Sequence, residues 1–377
     1  MKKISIRRRA YEKIADRSPW LYRNDLPQNL YTQPGEVAWL VYDGHVVATA
    51  FINQASKIAA RILAYEAVEI DRDFFEKRLR KAIGKRAGVP SNAYRIVHSE
   101  ADGLPGLVAD LYGPYLILSI TTAGMDRYKE NLVDLFIQLL DLQGIYERGD
   151  SIRSKEGLEI RDRTLWGDVA DEFVIEEGRV RFVSRLKEAQ KTGFFLDQRK
   201  NRRIVGSHGR RHTLDLFANA GGFGIYARSE RTTFVEISKS ACAAIEVNAR
   251  LNGLRDYEIV RKDVFKFLET DERIYDLIVV DPPAFAKSKK SRSGAMRGWK
   301  YLIARTVDRL EEGGYLALFS CSHALGMKDL ETLVRSVCIE KDVVMEVVEW
   351  MKQDIDHPWI LTIPNSLYLT GLLLRKG

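Results

Sequence analysis

No run of about 18 uninterrupted apolar residues, the minimum for a membrane-spanning helix, occurs anywhere in the 377-residue sequence. No membrane partner is therefore expected. The N-terminus, Met1-Lys2-Lys3, is basic, but Arg7, Arg8 and Arg9 break up any apolar segment that would act as a secretory signal. The expected location is the cytoplasm. Cysteine is scarce: Cys242, Cys321 and Cys338 form an odd set without metal-ligand spacing. Neither a disulfide framework nor a zinc centre is indicated, and no metal is expected.

The length predicts two or three domains, each burying its own core. The formal net charge is +7, and its distribution says more than its size. Arg185 to Arg211 holds nine Lys and Arg against Glu188 and Asp197, and Asp281 to Leu310 holds eight against Asp281 and Asp308. These two segments carry more positive charge than the whole chain nets, so the remainder is acidic. Such a concentration is either a solvated face or a surface that tracks phosphates. Both segments adjoin the motifs described below, which favours a nucleic acid partner.

Met1 to Glu69 carries the apolar runs Val37 to Tyr42 and His45 to Ile52, separated by Asp43-Gly44. That dipeptide suits a tight hairpin, and residues 1–69 are expected to form a small β-rich module. Asp71 to Ala87 has helical spacing and is stopped by Gly88 and Pro90. Strands are expected at Tyr94 to His98, Leu107 to Leu111 and Tyr115 to Thr121, then a helix over Asp126 to Leu140. Residues 70–172 thus read as a small α+β domain. In residues 173–377 strands and helices alternate. The strands are Thr213 to Phe217, Thr233 to Glu236, Ile259 to Val260, Leu277 to Asp281 and Tyr315 to Ser320. The helices begin at Gly224 or span Ser238 to Asn252, Val264 to Leu268, Trp299 to Leu310 and Lys328 to Glu340. This predicts an α/β, doubly wound, mainly parallel sheet with ligands at the carboxyl ends of its strands.

The stretch from Asp215 to Gly224 runs from a strand end through glycines, where backbone approaches a ligand closely, into a helix. Glu236 ends the next strand 21 positions after Asp215, where a carboxylate suits ribose hydroxyls. Asp263 stands at the third tip, either as a ligand contact or as the N-cap of the following helix. The G-x-G-x-x-G spacing of a nicotinamide-cofactor site is absent, which disfavours a dehydrogenase.

Asp281-Pro-Pro-Ala-Phe285 follows an apolar strand. The prolyl pair is expected to hold Asp281 and Phe285 toward the ligand crevice, the ring to stack on a flat base and the carboxylate to read its edge. The next strand delivers Phe319-Ser-Cys-Ser-His323 to the neighbouring tip. Cys242 and Cys338 sit among apolar residues of expected helices and read as small buried hydrophobes. Cys321, flanked by Ser320, Ser322 and His323, is the candidate nucleophile. His323 is either an assisting base or a surface histidine.

With these motifs in view the sequence resembles the large-subunit ribosomal RNA cytosine-5 methyltransferases, built from a PUA module, a central α+β domain and a Rossmann-like class I methyltransferase domain. The resemblance covers nearly the whole chain. It rests on Pro19-Trp-Leu-Tyr-Arg23 with Gly35-Glu-Val37, Asp102 to Asp110, Lys191 to Arg202, Asp215 to Gly224, Asp281 to Lys289 and Ser320 to His323. It implies S-adenosyl-L-methionine as cofactor and RNA, of the large ribosomal subunit, as partner. By the same resemblance Phe195, Asp197 and Arg199 join Asp215, Phe217, Asn219 and Gly221 around the methyl donor. Glu236 would take the ribose hydroxyls, Asp263 would lie near the adenine, and Asp281 would contact both donor site and cytosine. Cys321 would attack the base, with Pro282, Phe285 and Lys287 meeting the substrate. Two rivals stand beside this reading: methylation of a nitrogen, which does not need Cys321, and a noncatalytic RNA-binding or assembly factor on a methyltransferase fold. The modified nucleotide and the oligomeric state, a homodimer included, are not legible.

Overall fold

The computed structural model describes residues 1–186, 194–285, 292–322 and 325–377. The chain divides into two compact units. The first comprises Met1–Ile175, Ser184–Leu196 and Ile355–Ser366, and the second comprises Glu176–Val183, Asp197–Asp354 and Leu367–Gly377.

In the first unit two five-stranded sheets follow each other along the chain. The N-terminal sheet is ordered Lys2–Ser5, Glu36–Tyr42, His45–Ile52, Ile58–Ala64, Trp20–Tyr22. Its expected hairpin is present: Tyr42 pairs with His45 across Asp43 and Gly44, whose φ angles of 50° and 79° are the two positive values that a tight two-residue turn requires. Helix Arg8–Ala15 contributes Ala10 and Ile14 to the same core as Leu40 and Ala50. The second sheet is ordered Arg163–Gly167, Gly144–Glu147, Tyr115–Ile120, Leu107–Tyr112, Ala93–His98. Helices Arg72–Lys85, capped by Asp71, and Lys129–Leu139 bury Phe75, Leu79, Leu132 and Phe136 with Ile96, Leu107 and Leu118. Phe51 and Leu63 of the N-terminal sheet belong to that same apolar cluster, so the two sheets share a core.

The second unit is built on seven strands: β1 (His212–Leu216), β2 (Arg231–Glu236), β3 (Tyr257–Arg261), β4 (Tyr275–Val280), β5 (Leu310–Ser320), β6 (Met345–Lys352) and β7 (Thr370–Lys376). Its helices are α1 (Arg199–Gly206), α2 (Gly222–Ala227), α3 (Lys239–Leu251), α4 (Val264–Thr270), α5 (Arg292–Arg309) and α6 (Met327–Lys341). The sheet order is β3-β2-β1-β4-β5-β7-β6. The first five strands pair in parallel, and β7 runs antiparallel between β5 and β6.

Every residue of β4 is buried, as expected for a parallel strand covered on both faces. Ile278, Val280, Leu316 and Leu318 pack with Trp299, Leu302 and Leu333 on one side, while Leu277, Val279, Ala317 and Phe319 pack with Val205 and Phe223 on the other. Each such side chain contributes about 1.5–3 kcal/mol by leaving water. The expected alternation of strands and helices is thus present. Elements not anticipated include α1, β6, β7 and the hairpin of strands Glu172–Glu177 and Val180–Arg185, and α5 is already helical at Arg292, ahead of Trp299. Among the described residues no helix is long and apolar enough to cross a membrane.

Candidate active site

Because β1 to β5 are parallel, their carboxyl ends lie along one edge of the sheet, and the loops leaving that edge carry the polar residues. Beyond β1 the chain takes three positive φ angles within five residues, at Phe217, Asn219 and Gly221. For the two non-glycine residues this costs on the order of 1 kcal/mol each, and hydrogen bonds hold them there. The N–H groups of Phe217 and Ala218 both donate to the Val235 carbonyl, at 3.0 and 3.2 Å. The buried Asn248 of α3 donates from Nδ2 to the Ala220 carbonyl at 3.1 Å. Gly224 admits no side chain, since a Cβ there would stand 2.4 Å from Phe234 Cε1.

Three carboxylates occupy successive tips. Asp215 is buried and accepts from the Gly224 N–H at 2.8 Å. Burial pushes its carboxyl up to about 8, with the charges of Asp281 and Glu236 acting in the same direction. Glu236 accepts from two backbone N–H groups, Asn219 at 3.0 Å and Ser238 at 2.8 Å. A carboxylate offers about four lone-pair directions, so Glu236 retains capacity for hydroxyl donors. Asp263 caps α4, accepting from the Lys266 N–H at 3.1 Å. Of the two readings of Asp263, the capping one is therefore realised, and a ligand contact would use its remaining capacity.

At the β4 tip, Asp281 Oδ2 accepts from Gln198 Nε2 at 3.1 Å. Cys321 is exposed just beyond β5, its Sγ 4.0 Å from the Pro282 carbonyl. The two loops line one narrow cleft, whose walls include Pro282, Phe285, Trp299, Ser320, Cys321 and Ser322. Phe285 also meets Phe217, Phe265 and Trp299 at ring-centroid distances of 6.2, 6.1 and 6.0 Å. Its ring is therefore anchored in an aromatic cluster at the cleft wall. The other two thiols lie elsewhere, Cys242 on α3 and Cys338 on α6, and burial pushes both upward in pKa.

Asp197 and Arg199 are buried. Asp197 Oδ2 accepts from the Tyr368 hydroxyl at 2.8 Å, and the Arg199 guanidinium pairs with Asp354 at 2.9 Å. Phe195 lies in the segment Ser184–Leu196 of the first unit. Lys287 and His323 fall outside the described residues. Sequence reasoning missed Gln198, Asn201 and Asn248. The first two lie inside the stretch Lys191 to Arg202 already singled out, and Asn248 is a buried polar residue on an apolar helix face.

Two family matches divide the chain: residues 4–65 match the PUA-like domain family, and residues 160–352 match the S-adenosylmethionine-dependent methyltransferase family. The chain is 34% identical to ribosomal RNA large subunit methyltransferase I of Aeromonas salmonicida, covering 95% of each chain. It is 34% identical to the protein of the same name from Shewanella amazonensis, covering 97% of each. A methyltransferase crystallised with SAH superposes over 100% of both chains with a TM-score of 0.85 at 23% identity, a likeness of fold. These matches agree with the strand order and with the polar edge of the sheet. The chain belongs to the S-adenosylmethionine-dependent methyltransferase family, together with the ribosomal RNA large subunit methyltransferase I proteins.

Proposed function

We propose that the protein transfers a methyl group from S-adenosylmethionine to carbon 5 of a cytosine in large-subunit ribosomal RNA, with Cys321 as the nucleophile. The observation that carries this reading is an exposed thiol at the β5 tip, lining one cleft with the loop that follows Asp281. The three-part division into residues 1–69, 70–172 and 173–377 stays with it, the first part being an RNA-binding module.

Carbon 5 of cytosine is a poor nucleophile, which is why a thiol is needed. The Cys321 thiolate bonds to carbon 6, the ring electrons shift toward nitrogen 3, and carbon 5 becomes enamine-like. Asp281 supports this step at nitrogen 3, which gains electron density or a proton as the adduct forms, and a proton so gained returns to Asp281 when the cysteine is expelled. The bound donor supplies an electrophilic sulfonium methyl group, and the electrons of its broken S–C bond stay on that sulfur. Loss of the carbon 5 proton to a base then restores the ring and expels the Cys321 thiolate.

The residues fit such a donor. Glu236 has acceptor capacity for ribose hydroxyls, Asp263 keeps part of its own near the adenine, and Phe217, Asn219 and Gly221 form the tight turn beside Asp215. The resemblance assigns Phe195, Asp197 and Arg199 to the donor and Pro282 and Phe285 to the substrate, together with Lys287, which lies outside the described residues. The test is product identity. Unmodified large-subunit ribosomal RNA is incubated with the enzyme and labelled donor, digested to nucleosides and resolved by mass spectrometry. 5-Methylcytidine is the expected product. A nitrogen-methylated nucleoside would transfer the reading to the first rival, and no labelled product to the noncatalytic one.

A further inference from the structure

We propose that Gln198, backed by Asn201, is the positioning residue that sets the orientation and charge state of Asp281. The inference rests on the reading above, in which Asp281 faces the cytosine. Gln198 stands immediately before α1 and Asn201 in its first turn, and both are buried, at 3% and 1% exposure. Asn201 Nδ2 donates to Gln198 Oε1 at 2.6 Å, and Gln198 Nε2 donates to Asp281 Oδ2 at 3.1 Å. The direction of this chain is fixed by chemistry. An amide nitrogen only donates, so the Oδ2 atom it meets must accept.

The second amide makes the first one stiff. With Oε1 held by Asn201, turning the Gln198 amide over would break both bonds, setting donor against donor at Asn201 and carbonyl oxygen against carboxylate at Asp281. Asn201 meets this need at a cost, because its buried Oδ1 has no hydrogen-bond partner among the described residues. Pro282 restricts the backbone after Asp281, and Gln198 restricts the side chain. The acidic groups acting in the same field are Asp215 at the β1 tip and, through it, Glu236 at the β2 tip, with the Cys321 thiol beyond β5.

The experiment measures kcat, KM for unmodified large-subunit ribosomal RNA, and the pH profile of kcat on the full chain. The variants are Gln198→Leu, Gln198→Glu and Gln198→Asn, with Asp281→Asn alongside. Gln198→Leu keeps the volume and loses the donor; kcat is expected to fall about 10- to 100-fold with KM changed less than threefold, the scale of a misplaced reacting group. Gln198→Glu puts a second carboxyl against Asp281, so the pair shares a proton and the acid limb of the profile moves up by about one pH unit or more. Gln198→Asn retains an amide and should fall between wild type and Gln198→Leu. The proposal is overturned if these variants leave kcat and the acid limb in place, or if their loss appears only as weaker RNA or donor binding. If Asp281→Asn is itself inert, the reading of Asp281 fails and the proposal with it. If Asp281→Asn is crippled while the Gln198 variants are normal, only the positioning role fails.

Discussion

The two halves of the sheet edge are built by different means. At the β1, β2 and β3 tips the carboxylates of Asp215, Glu236 and Asp263 are each fixed by backbone N–H groups. At the β4 tip the contact described on the Asp281 carboxylate comes from a side chain, that of Gln198, and at the β5 tip the Cys321 thiol lies beside the Pro282 carbonyl. A backbone cradle is a property of the loop fold and suits a ligand that never varies. Side-chain positioning can be tuned residue by residue, which on the proposed reading suits the half that meets the base. Changes in the first half should therefore act on donor binding and folding, and changes in the second on the chemical step.

The sharpest break of that comparison is Cys321→Ala. It should lower methyl transfer by about 10⁴-fold or more, the scale of losing a nucleophile, while donor affinity measured by calorimetry stays within about twofold. An equal loss in donor affinity would erase the distinction between the halves. Next comes Glu236→Gln. Only one of its two side-chain ends can still accept, so one of the Asn219 and Ser238 N–H groups loses its partner. That costs about 1–3 kcal/mol, expected as a 10- to 100-fold weaker donor affinity with kcat at saturating donor largely retained.

Gly224→Ala drives a methyl group to 2.4 Å from the Phe234 ring. Overpacking of this kind costs about 1–3 kcal/mol, to be read as a lowered Tm of the donor-free protein. The last test concerns Asp215 and reads a dependence on pH. Its carboxyl titrates at about 8 in the folded chain, against about 3.9 when unfolded. The fold therefore favours the protonated form, so this group's contribution is most favourable below about pH 4 and declines as pH rises toward 8, levelling beyond. The slope reaches at most about 1.4 kcal/mol per pH unit. Asp215→Asn should remove it, so denaturant unfolding of the variant between pH 5 and 8 should be flatter than that of wild type.

The same contrast explains what was legible in the sequence. Strands β4 and β5 announce themselves through the apolar runs Leu277 to Val280 and Tyr315 to Phe319, each followed by a polar residue, because parallel strands are covered on both faces. Strand β6 hides its nature: Val347, Val348 and Trp350 are exposed at the sheet edge, and a bulge between Val347 and Glu349 breaks the alternation. Helix α1 is hidden for the opposite reason. Its buried positions include Arg199, Asn201 and Arg202, the last paired with Glu177, so a segment read as a run of charge buries much of that polarity. Periodicity rules look for buried apolar faces and pass over a buried polar one. The backbone half of the site was thus visible as glycines and strand ends. Gln198 and Asn201, whose role depends on a tertiary contact 83 residues away, were not.

The most direct test of the account is covalent trapping. RNA carrying 5-fluorocytosine is incubated with the protein and S-adenosylmethionine, then resolved under denaturing conditions. Fluorine on carbon 5 cannot leave as the proton does, so the Cys321 bond to carbon 6 should persist as an adduct of protein and RNA that Cys321→Ala abolishes. The absence of an adduct on RNA that the enzyme methylates in its unfluorinated form would contradict the account.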